Sequence, residues 1–404
     1  MSLPFIKRVP LMAALLFFSL APSVSAQNSG AQLRRITLDE IQYSHMGQLA
    51  IDRKGNCYAS FLQNYGNGGE KLRSETSEVT LACFTLERAL AEDFSPSRDV
   101  RFHRIGGLGD TFLGHKALSI FKDNSMCLDG NVIHLTFQFL PDTDDIAHLF
   151  KTDYNIWTGI FSGEEECLLE YKGKLEPFTI KTVAGIIERE GGRAPEIKDN
   201  ILELVSQWSR YRGWWYATLA CAGKTGSNGL VVRTKDFKMM EYVAMPPFNQ
   251  DGMAEISSII KDGKLFVACR QNYGIFKLLL SYYDLRKGSW GPVTSIEDGN
   301  SRPWFFIRRN RLYLMNTPDK PRKYINVSEI TLDDTSAIKA NKIITLQDCG
   351  FYYAPASYRG RIYMVVTLNT ESFGPLTLPK RTMERCLRGD ENHLAHHCAI
   401  YGLQ

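Results

Sequence analysis

Short alternating apolar runs dominate this chain, and long stretches with helical periodicity are nearly absent. One pattern recurs: an apolar run, a tight turn of Asp, Lys, Asn or Gly, then a second run rich in Val, Ile, Phe and Tyr. The copies are QLAIDRKGNCYASFL (48–62), ALSIFKDNSMCLDGNVIHLTF (117–137) and LVSQWSRYRGWWYATLAC (204–221). Three more follow: ISSIIKDGKLFVACR (256–270), PWFFIRRNRLYLMNT (303–317) and APASYRGRIYMVVTL (354–368). Each predicts a β-hairpin whose turn residues supply the backbone angles that other residues resist.

Spacing turns the hairpins into an architecture. Gly213, Gly263, Asn310 and Gly360 follow one another at intervals of 50, 47 and 50 residues. A repeat near 50 with one strong hairpin per unit predicts an all-β fold, a β-propeller of four-stranded blades. The earlier intervals are wider, 75 residues from Gly55 to Gly130 and 83 from Gly130 to Gly213, and hold inserted loops or a further blade. Six or seven blades fit, with seven preferred; the alternative is a β-sandwich with a second β-rich domain. No Pro/Ser-rich linker divides the chain, so 27–404 reads as a single propeller domain.

Residues 1–26 stand apart from this pattern. Lys7 and Arg8 precede an apolar stretch from Leu11 to Ala21, and Val24-Ser25-Ala26 supplies small residues for cleavage. That is the form of a secretory signal peptide, and it predicts a secreted or periplasmic protein. Its removal takes Lys7 and Arg8, so 46 cations remain against 44 acids, a net charge of +2 on 378 residues. With no Lys/Arg block, so small a charge argues against a nucleic-acid binder. No later stretch is long and apolar enough to span a membrane, and a monomer is expected. The nine cysteines are an odd number, lie largely in apolar runs such as LACFTL and LFVACR, and include no CxxC pair. They read as buried thiols, with Cys386 and Cys398 the first pair to suspect of a disulfide.

Candidate chemistry gathers at the heads of the hairpins, because the innermost strands of a propeller converge on its axis. The heads carry His45 and Gln48, His115, Glu255 with Arg270 at the far end of its hairpin, Arg302 and Trp304, and Tyr352 and Tyr353. Arginine pairs with carboxylates through two parallel hydrogen bonds, and aromatic rings stack on the apolar face of a pyranose, so the set suits an anionic sugar. Each residue also has an ordinary structural use: a histidine caps a strand, an arginine pairs with a nearby acid, and one of two adjacent tyrosines faces the core. His134 reads as structural. The terminal ENHLAHHC (391–398) predicts a closing strand rather than a zinc site, and neither metal nor cofactor is expected. Asn326-Val-Ser is a formal glycosylation acceptor.

The runs EISSIIKDGKLFVACR and GFYYAPASYRGRIYMVV resemble the segments of sialidase-like propellers that hold the glutamate, the second arginine and the nucleophilic tyrosine. The resemblance assigns those roles to Glu255, Arg270 and Tyr352. It departs at the first blade, where sialidases carry an arginine and this chain reads His45-Met46-Gly47-Gln48, and the repeated Asp-box is absent. Size, export and the opening QLAIDRKGNCYASFLQN look more like glycoside hydrolase family 145, seven-bladed propellers of gut Bacteroides. Those enzymes attack L-rhamnose linked to glucuronic acid in plant arabinogalactans. That resemblance implies a secreted α-L-rhamnosidase in which a histidine of the first blade, here His45, is the proton donor, or in which Gln48 occupies that place. Substrate binding then falls to His115, Glu255, Arg270, Arg302, Trp304, Tyr352 and Tyr353. The partner is an oligosaccharide or polysaccharide containing uronic acid. A uronate-directed polysaccharide lyase, a sialidase-like hydrolase and a non-catalytic glycan-binding propeller are the alternatives.

Overall fold

The computed structural model describes residues 34–403, apart from 38–42, 65–76, 145, 195–200, 204–206, 223–228, 249–252, 272–276, 298–300, 319–323, 348–350 and 370–395. The expected signal peptide, Cys349 and Cys386 lie outside the described residues.

All six predicted hairpins form, and each belongs to a separate sheet. The anchor residues of the turns all take positive φ: 89° at Gly55, 61° at Gly130, 82° at Gly213, 76° at Gly263, 59° at Asn310 and 74° at Gly360. In the last four turns the preceding residue is also positive, at Arg212, Asp262, Arg309 and Arg359. Two consecutive residues of that kind match the right-handed twist of the flanking strands, which is why these short loops close tightly.

The first blade comprises Tyr43–Ile51, Asn56–Asn64, Ser77–Thr85 and Arg101–Gly107. The second runs from His115–Asp129 through Val132–Pro141 to His148–Asn155, with short edge strands beyond. The third has a divided inner strand, Ile201–Glu203 and Ser209–Tyr211, before Trp214–Ala222, Gly229–Thr234 and Met239–Ala244. The fourth starts with Met253–Lys261 and Lys264–Gln271, the fifth with Ser301–Arg308 and Arg311–Thr317. The sixth comprises Phe351–Tyr358, Arg361–Asn369, His396–Leu403 and, as its fourth strand, Arg34–Arg35 from the other end of the chain. His396, His397 and Cys398 of the terminal run therefore lie in a strand of the last blade, as the sequence predicts, and His393 lies outside the described residues.

Six sheets form among the described residues, and their inner strands pack in a ring in which the sixth meets the first. Of the two blade numbers the spacing allows, the ring holds six rather than the preferred seven. The wide early intervals contain additions to existing blades. Between Gly55 and Gly130 lie two short helices, Leu86–Leu90 and Pro96–Asp99. Between Gly130 and Gly213 lie the strands Leu168–Tyr171 and Lys174–Pro177 and the helix Ile180–Arg189. Leu168–Tyr171 pairs in parallel with Met239–Ala244 and so extends the third blade outward.

The core is divided into layers between neighbouring blades. Trp304, Phe306 and Met315 of the fifth blade meet Tyr353, Ile362 and Met364 of the sixth. Ile36, just after the first strand, packs with Cys57, Phe61, Val365 and Ile400, where the first and sixth blades join. Full burial of each such side chain contributes roughly 1.5–3 kcal/mol, so each blade is held by its two neighbours.

Candidate functional site

Every inner strand is interrupted at or beyond its head. Register shifts fall between His45 and Gln48, Ile120 and Asn124, Ala254 and Ile256, Ser301 and Trp304, and Phe351 and Tyr353. In the third blade, the six steps from Glu203 to Ser209 face only the four from Ala220 to Tyr216. Extra residues in one strand of a pair leave the ladder and re-aim their side chains. Glu255 and Tyr352 sit in these bulges with φ of 50° and 51°, and Arg302 occupies the bulge of the fifth blade. Non-glycine residues in that region are uncommon and cluster where function fixes the backbone.

These bulges bring Glu255, Arg302 and Tyr352 together from three successive blades. Glu255 Oε2 accepts from Arg270 Nη1 at 2.8 Å and from the Arg302 backbone N–H at 2.8 Å. The acid thus anchors the second strand of its own blade and the head of the next. The Arg302 side chain is only 1% exposed, lies 5.4 Å from the Trp304 ring and 5.5 Å from the Tyr352 ring, and pairs with no carboxylate among the described residues. None of its three guanidinium nitrogens meets a hydrogen-bond acceptor there. Burying such a cation without acceptors is costly, and the two rings offset only part of that cost. A carboxylate delivered to this position would supply two charge-assisted hydrogen bonds at once.

Tyr353 is the core member of the tyrosine pair and is fully buried. Burial pushes its phenol far above the ordinary range, the Thr317 hydroxyl and Arg302 pull it back slightly, and Glu255 adds to the rise. It stays protonated and forms a wall of the site. Trp304 spans the axis, its indole N–H donating 2.8 Å to Gln207 of the third blade. Gln207 is a contributor that sequence reading missed; it sits where the inner strand is broken, and no periodic signal marks such a break.

Gln48 is held between two blades. Its amide is buried, donating to the Asn124 carbonyl at 2.7 Å and accepting from the Met126 N–H at 2.9 Å. It staples the first blade to the second, beside a Ser60–Asn124 hydrogen bond of 2.9 Å. The His45 backbone pairs with Leu62 directly before the bulge at Met46 and Gly47, and its side chain lies outside what the structure describes. His115 is half-buried at the start of the second blade's inner strand and pairs with Phe112 in a short bridge, away from the cluster's hydrogen bonds. His134 bonds Asp153 at 2.8 Å and stacks on Phe237, a structural use. Asn326 is buried and bonded to Thr345, so its glycosylation motif is inaccessible in the folded protein.

No family model matches the sequence, and no curated protein does. Solved structures match in fold. A protein of unknown function from Dyadobacter fermentans aligns with a TM-score of 0.59 at 8% identity, over 93% of this chain and 100% of that one. The phage phi92 endosialidase gives a TM-score of 0.55 at 11% identity, over 93% of this chain and 69% of that one. The Trypanosoma rangeli sialidase gives 0.54 at 8% identity, over 90% of this chain, which spans 55% of the sialidase. The fold is a sialidase-like propeller. No helix among the described residues is long and apolar enough to cross a membrane.

Proposed function

We propose that this protein is a glycan-acting hydrolase that cleaves a glycosidic bond at a carboxylate-bearing sugar. The observation that carries the reading is the buried Arg302 guanidinium, held between two aromatic rings without an acceptor among the described residues. In this reading Arg302 receives the sugar carboxylate and Trp304 stacks on the ring. Tyr352 attacks the anomeric carbon as its phenol proton passes to Glu255 and the glycosidic C–O bond breaks, the leaving oxygen taking a proton from water. A second water then hydrolyses the tyrosyl–sugar bond, while Glu255 also holds Arg270 and the bulged backbone that presents the tyrosine. Two fold neighbours are an endosialidase and a sialidase, which supports a glycoside hydrolase in general.

A second reading has its own support. With the Gln48 amide committed to Asn124 and Met126, His45 is left as the acid–base residue at the head of the first blade. That arrangement suits release of L-rhamnose from glucuronate, the uronate carboxylate again meeting Arg302. Incubation of the mature protein with rhamnose-capped arabinogalactan oligosaccharides and, separately, with sialosides, followed by chromatography of the freed sugar, distinguishes the two. Under the leading reading Tyr352→Phe lowers turnover by roughly a hundredfold or more and His45→Ala changes it little. The reverse ranking, with free rhamnose, selects the second reading. Binding without release of any sugar overturns both.

A further inference from the structure

The hairpin turns that close the inner strands lie at the opposite end of the blades from the heads, and they form a second ring. Three of the six turns place an arginine at the first central position: Arg212 with φ 49°, Arg309 with φ 47° and Arg359 with φ 48°. Asn, Asp and Gly take this conformation at lower cost, so arginine is a poor choice on backbone grounds alone. All three are exposed, and none forms an ion pair among the described residues. Lys172 adopts the same conformation in an outer hairpin, but its ammonium is engaged by Glu190 at 3.1 Å. The first blade adds exposed Arg53 and Lys54. Of the carboxylates in these turns, Asp262 is paired with Lys261 and Asp129 with Arg210, and Asp52, at the edge of the first turn, accepts from the Lys54 and Asn56 backbone N–H groups of its own loop. A protein of almost balanced charge therefore presents one strongly basic face.

Neighbouring turns lean on each other around most of this ring: Arg210 reaches Asp129, Arg308 Nε donates to the Gly360 carbonyl, and Tyr358 abuts Gly55. Between the first two blades lies a cleft of about 920 Å³, lined by Arg53, Lys54, Asn56, Asn131 and Trp157 among others. The Trp157 ring is 75% exposed, a large apolar surface left in water at the mouth of a cleft whose apolar floor includes Leu128 and Ile156. A flat ring beside amides and cations matches the alternating apolar faces, hydroxyls and carboxylates of an acidic sugar chain. Apart from Trp157 and Ile160 on its own turn, none of the exposed large apolar residues lies in the ring of turns or the cleft, too small an apolar surface beside so many cations to favour insertion into a lipid surface.

We infer that this face is a non-catalytic binding site for an acidic polysaccharide, which enters the cleft at Trp157 and runs across the arginines of the turns. The site is separate from the strand-head cluster and does not depend on the reading of that cluster as catalytic. The test is binding of the mature protein to polygalacturonate, with dextran, phosphatidylglycerol vesicles and duplex DNA as comparisons. The variants are Trp157→Ala and the triple variant Arg212→Asn, Arg309→Asn, Arg359→Asn. Asparagine suits the left-handed turn position, so the triple variant is expected to melt no lower than the parent, and binding is read on folded protein. Expected is binding to polygalacturonate that falls steeply with salt, at least tenfold weaker in the triple variant, and also weaker in Trp157→Ala. Binding by the triple variant at parental strength overturns the proposal, as does equal affinity for dextran. Preference for vesicles or DNA over polygalacturonate overturns it in favour of those partners. Glu255→Gln retains polygalacturonate binding, so loss of hydrolysis in that variant leaves this inference standing.

Discussion

Single residues in this protein changed meaning when their surroundings became known. Gln48 stands at the head of a hairpin and looks available for chemistry, yet both ends of its amide are hydrogen-bonded across the first blade boundary. Gln48→Ala strands a buried carbonyl and a buried N–H and is expected to cost about 2–3 kcal/mol, while turnover at low temperature persists. Chemical denaturation beside a rate assay checks both halves, and loss of rate without loss of stability would return Gln48 to catalysis. Arg302→Lys keeps the charge but not the planar fork, so KM for an acidic substrate should rise by about tenfold or more with a smaller change in kcat. The buried cysteines behave as the apolar runs around them predict. Cys57, Cys83, Cys127 and Cys167 are free thiols, and Cys221 and Cys269 are buried. Burial pushes the Cys83 thiol up to about 11 and the Cys57 and Cys167 thiols higher still. A thiol harder to ionise when folded than when unfolded contributes fully below its ordinary value of 9.0. That contribution is lost as the pH climbs from there through the folded value. Urea midpoints should therefore fall between pH 9 and 11, and a thiol reagent at pH 8 should label the buried Cys57, Cys127 and Cys167 only on unfolding. Rapid labelling of the native protein would contradict their burial.

At the scale of strands and turns, the hairpins were legible because their signals are local. An alternating run, a Gly or Asn with positive φ and a second alternating run suffice, and all six appear where the sequence puts them. The bulges were not legible. One extra residue in a strand leaves composition and period nearly unchanged, yet it decides that Glu255, Arg302 and Tyr352 leave the ladder at the axis. The hairpin-head reading still collected these three residues, because heads converge in any propeller. It also collected Gln48 and Tyr353, which the same heads direct into packing. Trp304 joins non-adjacent blades through Gln207, so Trp304→Phe should lower stability by about 1 kcal/mol. Because the crossing indole also bounds the site, the variant should loosen substrate binding more than Phe306→Leu, a change one residue pair along the same strand. Equal effects on binding would assign Trp304 to packing alone.

The whole molecule depends on closure. The ring is completed when Arg34–Arg35 adds to the last blade, which otherwise presents the strand His396–Leu403 as an open edge. Ile36 and Thr37, directly after it, are fully buried. Ile36→Ala should cost about 3 kcal/mol, and deletion of residues 27–37 should lower Tm further and favour association through the exposed edge. A deletion variant that melts like the parent would show that closure rests on the inner strands alone.

The sequence by itself determined the hairpins, their turns, the β-propeller class and the burial of Cys57, Cys127 and Cys167, since each depends on residues close together in the chain. It left the blade number open, because an inserted helix or strand pair and a missing blade occupy the same interval. Only the tertiary structure decided that the ring closes at six, with the chain's first strand joining its last. It alone placed Arg302 in a dry aromatic cage and gathered the turn arginines onto one face. Those juxtapositions join residues tens to hundreds of positions apart, and no local pattern can encode which of them will meet.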